Sequence, residues 1–571
     1  MNSGIRTTGG GPKGALNRWL SRHVEGILSI PGSGLYRRFV RESKTPRETQ
    51  ESLLRDILTQ SADTAFGKEH GFGEIRTVED YRKRVPVRDY EGHRPYVDRH
   101  AAGETDVLFP GKPMMYTRTS GTTAEPKLIP ISRYNFERTI KKRGKAWLHG
   151  LSRRFPGLFA GKDFTIVSPA IEGYTEDGTI MGSLSGAIYR NIPEFMKLVH
   201  TIPYEVITVA DYEAKAYTLL RFGVPSNVTS IFTGNPSTIL NLVTKADLWK
   251  EDLIRDVRDG TLKASLDLEP EIRALAEARL EPAPERAAQL EALASEADTL
   301  RPAQYWPNLE LVHTWTNGNC RLVIPRLRPW FAPGLPILDF GYIASEINAA
   351  NFMDFETQGS HLALGSAFYE FSPEEEGDAP KTFLCAHELE AGRRYYIYVT
   401  TLSGLYRYDM NDVLEVAGHF NEAPIIRFMY KGKGVTSITG EKLSEEQFIE
   451  AVKQASAERE IAHDFFVGYA NAERGHYELY IELEGTPGGG EVEAFSSAVD
   501  GAIRERNVEY DAKRHSERLA PIEVIPLGKD AFARYRRLRM DEGAYEGQFK
   551  WLHLSGTEAT RERMRKLAEC E

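Results

Sequence analysis

Between two short apolar runs, Pro113–Tyr116 and Leu128–Ile131, the chain carries the hydroxyls of Thr117, Thr119, Ser120, Thr122 and Thr123, together with Gly121 and Lys127. The pattern predicts strand, loop, strand. Gly121 lets the backbone turn so that its N–H groups face an anion. The hydroxyls add donors and Lys127 a compact positive charge, which together suit a triphosphate. This is not the Gly-x-x-x-x-Gly-Lys-Ser/Thr phosphate loop, which opens a helix and borrows its dipole. A Ser/Thr-rich turn that merely joins two strands has the same composition. The rest of the chain has to decide between the two.

At 571 residues the chain is too long for one core, so two or more domains are expected. A formal net charge of -10 speaks against nucleic acid as a partner, which calls for a basic surplus. Cys320, Cys385 and Cys570 are far apart and lack metal-ligand spacing, as in a reducing compartment. No secretory core and no run of about 18 apolar residues is present, so no membrane span is predicted. These features describe a soluble, cytoplasmic protein, read here as a monomer.

Strand signals at Phe164–Ser168, Leu309–His313, Ile337–Phe340, Arg394–Thr401 and Ile425–Met429 alternate with helical spacing, which predicts α/β layering. Arg133 to Leu151 reads as a basic-faced helix. Leu219 to Asn235 reads as alternating strand and turn, and Pro236 opens a further helix. Residues 244–300 read as two or three charged surface helices of the main domain. Lys431-Gly432-Lys433-Gly434 reads as a flexible basic joint. Beyond it a helix at Ser444–Ala457, a strand at Tyr477–Leu483, a helix at Phe495–Arg506 and a strand at Pro521–Pro526 form a small α+β module. The expected domains are 1–430 and 431–571.

Three further clusters carry chemistry. Gly341-Tyr342-Ile343-Ala344-Ser345-Glu346 follows a strand directly, the usual ligand position in α/β proteins. The Tyr342 ring can stack on a purine, and the Glu346 carboxylate can hold Mg²⁺ beside a triphosphate. In Gly404 to Val413, Asp409 and Asp412 are both candidates to receive a ribose diol; as plain turn residues, one of them would pair with Arg407 at the surface. Gly547-Gln548-Phe549-Lys550 places a lysine in an aromatic-flanked turn, which taken alone is a solvated lysine.

With these runs in view, the chain resembles the auxin-responsive acyl-acid amido synthetases, the plant hormone-conjugating enzymes and their bacterial relatives. That family belongs to the adenylate-forming superfamily, with the acyl-CoA synthetases and luciferases. The resemblance covers most of the chain and keeps the family order: Thr64–Gly67, Val85–Tyr90, Ser120–Thr123 with Lys127, Tyr342–Glu346, Gly404–Asp412, Gly440–Glu445 and Gly547–Lys550. It implies a large N-terminal α/β domain of adenylate-forming type and a small mobile α+β C-terminal domain. It implies ATP and Mg²⁺ as cofactors, with Ser120, Gly121, Thr122, Thr123 and Lys127 on the phosphates. Tyr342 and Ser345 take the adenine side, Glu346 the metal, Asp412 the ribose. Lys431 joins the nucleotide-binding set at the joint, and Lys550 reaches the α-phosphate during adenylation.

Two departures stand out. Asn411 replaces the glycine before the ribose aspartate; asparagine tolerates left-handed backbone better than most residues. The family's Lys-x-Pro-Arg ending is Lys550-Trp551-Leu552-His553 here. The expected activity is ligation of a carboxylic acid to an amine, an amino acid above all, through an acyl-adenylate. An acyl-CoA ligase shares every ATP residue named, and a non-catalytic nucleotide-binding relative shares most of them.

Overall fold

The computed structural model describes residues 32–119, 127–351, 359–376 and 380–569, apart from positions 437, 439–440, 442, 472, 486–487, 516–518 and 543–551. The chain divides into two units, Met1–Met410 with Leu414–Phe428, and Asn411–Val413 with Met429–Glu571.

The larger unit contains a four-stranded parallel sheet whose strands follow sequence order: Lys162–Thr165, Val228–Phe232, Leu311–Thr314 and Ile337–Asp339. Parallel neighbours require long crossovers, and helices supply them. The helix Tyr212–Gly223 joins the first pair. Pro236–Leu248, Lys250–Asp259, Pro270–Glu277 and Pro284–Ala297 stand between the second and third strands. Their apolar faces close over Phe164, Ile231 and Val312 with Leu220, Ile239, Leu242 and Leu253. The segment read as alternating strand and turn is therefore helical up to Gly223, and only Val228–Phe232 is strand. The run Leu219-Leu220-Arg221-Phe222 is buried throughout, so it shows no amphipathic period. The helix-start signal lay upstream, in Asp211, whose carboxylate accepts a hydrogen bond from Ala214 N at 2.7 Å.

A second sheet has seven strands in the order Leu384–Cys385, Ala367–Pro373, Arg394–Thr401, Tyr408–Phe420, Ala423–Lys431, Ser360–Leu362 and Ala350–Asn351. Ala367–Pro373 runs antiparallel to Arg394–Thr401, from Ala367 opposite Thr401 to Pro373 opposite Tyr395. Glu370 on this pair is buried and accepts from Arg407 Nε at 2.8 Å, Arg407 Nη2 at 3.2 Å and Arg82 Nε at 2.9 Å. Arg407 is thus a core residue paired with Glu370, which corrects the surface pairing with Asp409 or Asp412. Its φ of 44° lets the chain reverse between Gly404 and the strand that begins at Tyr408. A smaller sheet has the order Lys127–Ile131, Met115–Thr119, Ile180–Gly182, Gly173–Tyr174.

In the smaller unit, His476–Leu483 and His463–Asn471 form an antiparallel pair. Glu523–Leu527 adds in parallel to the first and Leu554–Ser555 in parallel to the second. Alternation sends Phe465, Val467 and Tyr469 to one face, where Ala531, Tyr535, Met564 and Leu567 cover them. On the other face a Cβ at Gly468 would lie 2.5 Å from the Phe448 ring, so glycine permits the close approach of helix Glu445–Glu458. His553 is buried beside this sheet; its Nδ1 donates to Phe466 O at 2.9 Å and its backbone N to Glu445 Oε1. Among the described residues no helix is long and apolar enough to cross a membrane.

Candidate active site

The strands Met115–Thr119 and Lys127–Ile131 pair antiparallel from Met115 opposite Ile131 to Thr119 opposite Lys127. They therefore converge at the ends of segment 120–126. Ser120, Gly121, Thr122 and Thr123 lie outside the described residues. Lys127 is described, with its Nζ 5.5 Å from the centre of the Tyr90 ring. Tyr90 also fixes the next residue: its hydroxyl accepts from Leu128 N at 2.8 Å. The tyrosine opens the helix Tyr90–Ala101, which Asp89 caps by accepting from Gly92 N at 3.1 Å. A cation attracted to a ring face has its position narrowed.

The buried Thr117 hydroxyl donates to Ser345 O at 3.3 Å and lies 3.4 Å from Ile129 O. The loop-bearing strand is thereby tied to the turn that follows Asp339. That turn leaves the carboxyl end of the parallel sheet, and Asp339 organises it. One oxygen of Asp339 accepts from Thr316 N at 2.9 Å and Thr316 Oγ1 at 3.1 Å. The other accepts from Gly341 N at 3.0 Å and Ser360 Oγ at 3.3 Å. Burial raises its carboxyl above the ordinary range, and these four donors oppose the rise. Gly341 has a φ of 93°, which a side chain would resist.

Beyond Gly341 the chain makes a narrow hairpin. Ala344 N donates to Ile347 O at 2.7 Å and Ile347 N to Ala344 O at 3.2 Å, so Ser345 and Glu346 form its two-residue tip. The Tyr408 hydroxyl donates to Glu346 Oε1 at 3.5 Å. Burial, then the Glu346 carboxylate, raises the Tyr408 phenol, so it stays a donor at all ordinary pH. Tyr342 is buried, with its ring stacked on Phe428 at 6.2 Å and 11°. Behind the hairpin the half-buried Arg143 bonds the Asn348 carboxamide oxygen and Ser366 Oγ, the latter at 2.9 Å; desolvation of its guanidinium brings it down to about 10.

Thr117, Ser345, Glu346 and Tyr408 make an oxygen-rich edge of one neighbourhood, with Lys127 held on the strand after the loop. Hard oxygen donors suit Mg²⁺, and the lysine suits phosphate. Asp412 lies within the strand Tyr408–Phe420, fully buried, and Asn411 before it has a φ of 51°, the left-handed conformation expected of the residue in glycine's place. Asp409, at the start of the same strand, is half-buried, and its N donates to Arg88 O at 2.8 Å. Lys431 ends the strand Ala423–Lys431; its side chain, like the whole of Lys550, lies outside the described residues. Sequence reasoning missed Tyr90, Asp339, Tyr408 and Arg143. Asp339 could have been found from its place at the strand end before Gly341, and Tyr408 from its place in the run holding Asp412. Arg143 carries no such signal.

Comparison with known proteins bears on this arrangement. The GH3 family N-terminal domain matches residues 35–337, the GH3 family central domain 360–431 and the GH3 family C-terminal domain 446–559. A probable indole-3-acetic acid-amido synthetase GH3.11 of Oryza sativa subsp. japonica is 26% identical, over 92% of this chain and 94% of its own. The jasmonoyl–L-amino acid synthetase GH3.5 of the same rice is 27% identical, over 88% and 91%. The solved GH3.15 acyl acid amido synthetase superposes with a TM-score of 0.81 at 23% identity, covering 92% of this chain and 94% of that one, so the two share a fold. With all three domains matched in order from residue 35 to residue 559, this chain belongs to the GH3 family.

Proposed function

We propose that the chain is an acyl-acid amido synthetase, which joins a carboxylic acid to an amine at the expense of Mg·ATP. The observation that carries this is the Thr117–Ser345 contact in a GH3 chain. It sets the strand that leads into segment 120–126 beside a glutamate-tipped turn at the carboxyl end of a parallel sheet. Relatives that match about nine-tenths of the chain are named as a probable indole-3-acetic acid-amido synthetase and a jasmonoyl–L-amino acid synthetase.

In the first half-reaction a substrate carboxylate oxygen attacks the α-phosphorus of ATP, and the bond to pyrophosphate breaks. Two anions must meet, so fixed positive charge is the main requirement. Lys127 supplies it from the strand after the loop, and Ser120, Gly121, Thr122 and Thr123 line the phosphates. Lys550 serves this half-reaction. Glu346, steadied by Tyr408, would hold Mg²⁺, which when bound spreads the charge of the triphosphate. Asp412 receives the ribose, Tyr342 and Ser345 stand on the adenine side, and Lys431 completes the nucleotide set. In this reading residues 1–430 bind nucleotide and acid, while 431–571 carry Lys550. In the second half-reaction an amine attacks the acyl carbon and AMP leaves.

A panel of aryl, indolyl and alkyl acids tests the reading, with pyrophosphate release measured with and without each amino acid and the products identified by mass. Acid-dependent release together with a new amide is expected. Release with no amide under any amine would exclude an amido synthetase.

A further inference from the structure

Glu172 takes no part in the assignments above. It ends the segment that leaves the carboxyl end of strand Lys162–Thr165 and crosses to the sheet holding Met115–Thr119. That segment is fixed from several sides. Ala170 N donates to the Tyr204 hydroxyl at 2.9 Å, Ser183 N to Pro169 O at 3.0 Å and Glu172 N to Met181 O at 2.8 Å. A Cβ on Gly182 would lie 2.3 Å from Ala170 O, and one on Gly186 2.1 Å from Ser168 O, so both glycines exist for this close approach. Met181 and Gly182 pair in turn with Tyr116 and Thr117. Glu172 is thus one strand removed from the residues that lead into segment 120–126, about 10 Å in backbone terms.

Its Oε1 is sealed from solvent yet accepts no hydrogen bond among the described residues. Among the described residues, the charged groups facing it are Arg118, one residue beyond Thr117, and Lys215 from the helix Tyr212–Gly223. Tyr204 is already engaged with Ala170, and Ile180–Gly182 brings no charge. A buried carboxylate oxygen left without a donor is costly, and such a cost persists where a ligand supplies the donor. Burial, opposed by Arg118 and Lys215, pushes the carboxyl up to about 7.

We propose that Glu172 forms the subsite for the acceptor's ammonium group and takes up its proton before amide formation. The proposal rests on the amido-synthetase reading and names the acceptor class within it. An amine attacks only as the neutral form, whereas amino acids bring ammonium to neutral solution. One N–H proton passes to the Glu172 carboxylate. The freed lone pair then forms the N–C bond at the acyl carbon, the C–O bond to the phosphate breaks with its electron pair on AMP, and the second proton leaves nitrogen for solvent. The positive charge of Arg118 and Lys215 beside the same carboxylate favours an acceptor that also bears an anionic group, hence an α-amino acid over a plain amine.

The test is Glu172→Gln in the full-length enzyme, with three readouts: acid-dependent ATP–pyrophosphate exchange, conjugation of an amino acid, and conjugation of hydroxylamine, which is already neutral at pH 7. Conjugation of the amino acid should fall about 10²-fold or more, the scale of a lost general base. Exchange and hydroxamate formation should fall far less, which also shows that the variant folds. Glu172→Asp should recover part of the loss, and the rise of amino-acid conjugation through pH about 7 should vanish in Glu172→Gln. Equal losses for hydroxylamine and the amino acid, or no loss at all, overturn the proposal alone. A wild-type enzyme that exchanges pyrophosphate but conjugates no amine overturns it together with the amido-synthetase reading.

Discussion

Asn411 shows how far a single residue type can be trusted. It stands where the family has glycine, and its φ of 51° is a conformation asparagine adopts at less cost than most residues. The turn into Asp412 therefore keeps its left-handed step. The ribose assignment of Asp412 predicts that Asp412→Asn weakens ATP binding by about 1.5–3 kcal/mol, the range for hydrogen bonds to a charged group. Asp409→Asn, on a half-buried residue at the strand start, should cost much less. Titration calorimetry decides, and the reverse order would move the ribose site to Asp409. Residue chemistry made this position legible because backbone preference is local. The Arg407–Glu370 pair was not legible for the opposite reason. Its partners are 37 residues apart, Glu370 on the strand Ala367–Pro373 and Arg407 in the turn before Tyr408, and nothing near Arg407 announces a buried carboxylate.

At the scale of elements, the loop-bearing strands and the Tyr342–Glu346 turn were readable, since apolar runs bounded by Gly and hydroxyl residues mark strand ends. Arg394–Thr401 is a strand over the whole of the span read for it. What the sequence hid is the contact between elements: Thr117 meets Ser345 across 228 positions, and Tyr408 meets Glu346 across 62. Those contacts give Glu346 its setting. It stands at the tip of a two-residue hairpin anchored by Asp339, so its carboxylate is presented by backbone that hydrogen bonds hold on both sides. Glu346→Gln replaces a charged oxygen pair by an amide, a weaker ligand for a hard cation. The Mg²⁺ concentration for half-maximal pyrophosphate release should rise several-fold while the hairpin survives, because its bonds are backbone bonds. An unchanged Mg²⁺ dependence would remove the metal from Glu346.

Among the described residues of the whole molecule, His93, His100, His313 and His553 are the buried histidines that burial pushes down furthest. In the larger unit, His93 Nδ1 donates to Asp89 O at 3.0 Å while its Nε2 accepts from Tyr406 N at 3.2 Å. His100 Nε2 accepts from Val107 N at 3.0 Å and Leu108 N at 3.2 Å, and His313 Nε2 donates to Asp339 O at 2.8 Å. In the smaller unit, His553 occupies the place of the family's arginine and donates to Phe466 O. Burial lowers His93, His100 and His553 to about 4 and His313 to about 3. Protonation would also expel the N–H groups that point at His93 and His100. An unfolded histidine binds its proton near 6.5, so the unfolded state binds more protons throughout the window from about 6.5 down to about 4. Stability must therefore fall as pH falls through that window, by about 1 kcal/mol per histidine between pH 7 and pH 5.5. In the larger unit Glu172 acts in the opposite sense. Its raised carboxyl binds a proton in the folded state first, which offsets part of the loss of the three histidines there. Amide hydrogen exchange at the two pH values, corrected for intrinsic rates, resolves the units separately. Peptides from Leu311–Thr314 should lose protection at pH 5.5, and lose more in Glu172→Gln than in the wild type. Peptides from His463–Asn471 should lose about one histidine's worth, and His553→Gln should flatten that response without altering the larger unit's. Equal protection at both pH values in the wild type would mean that these rings charge without unfolding.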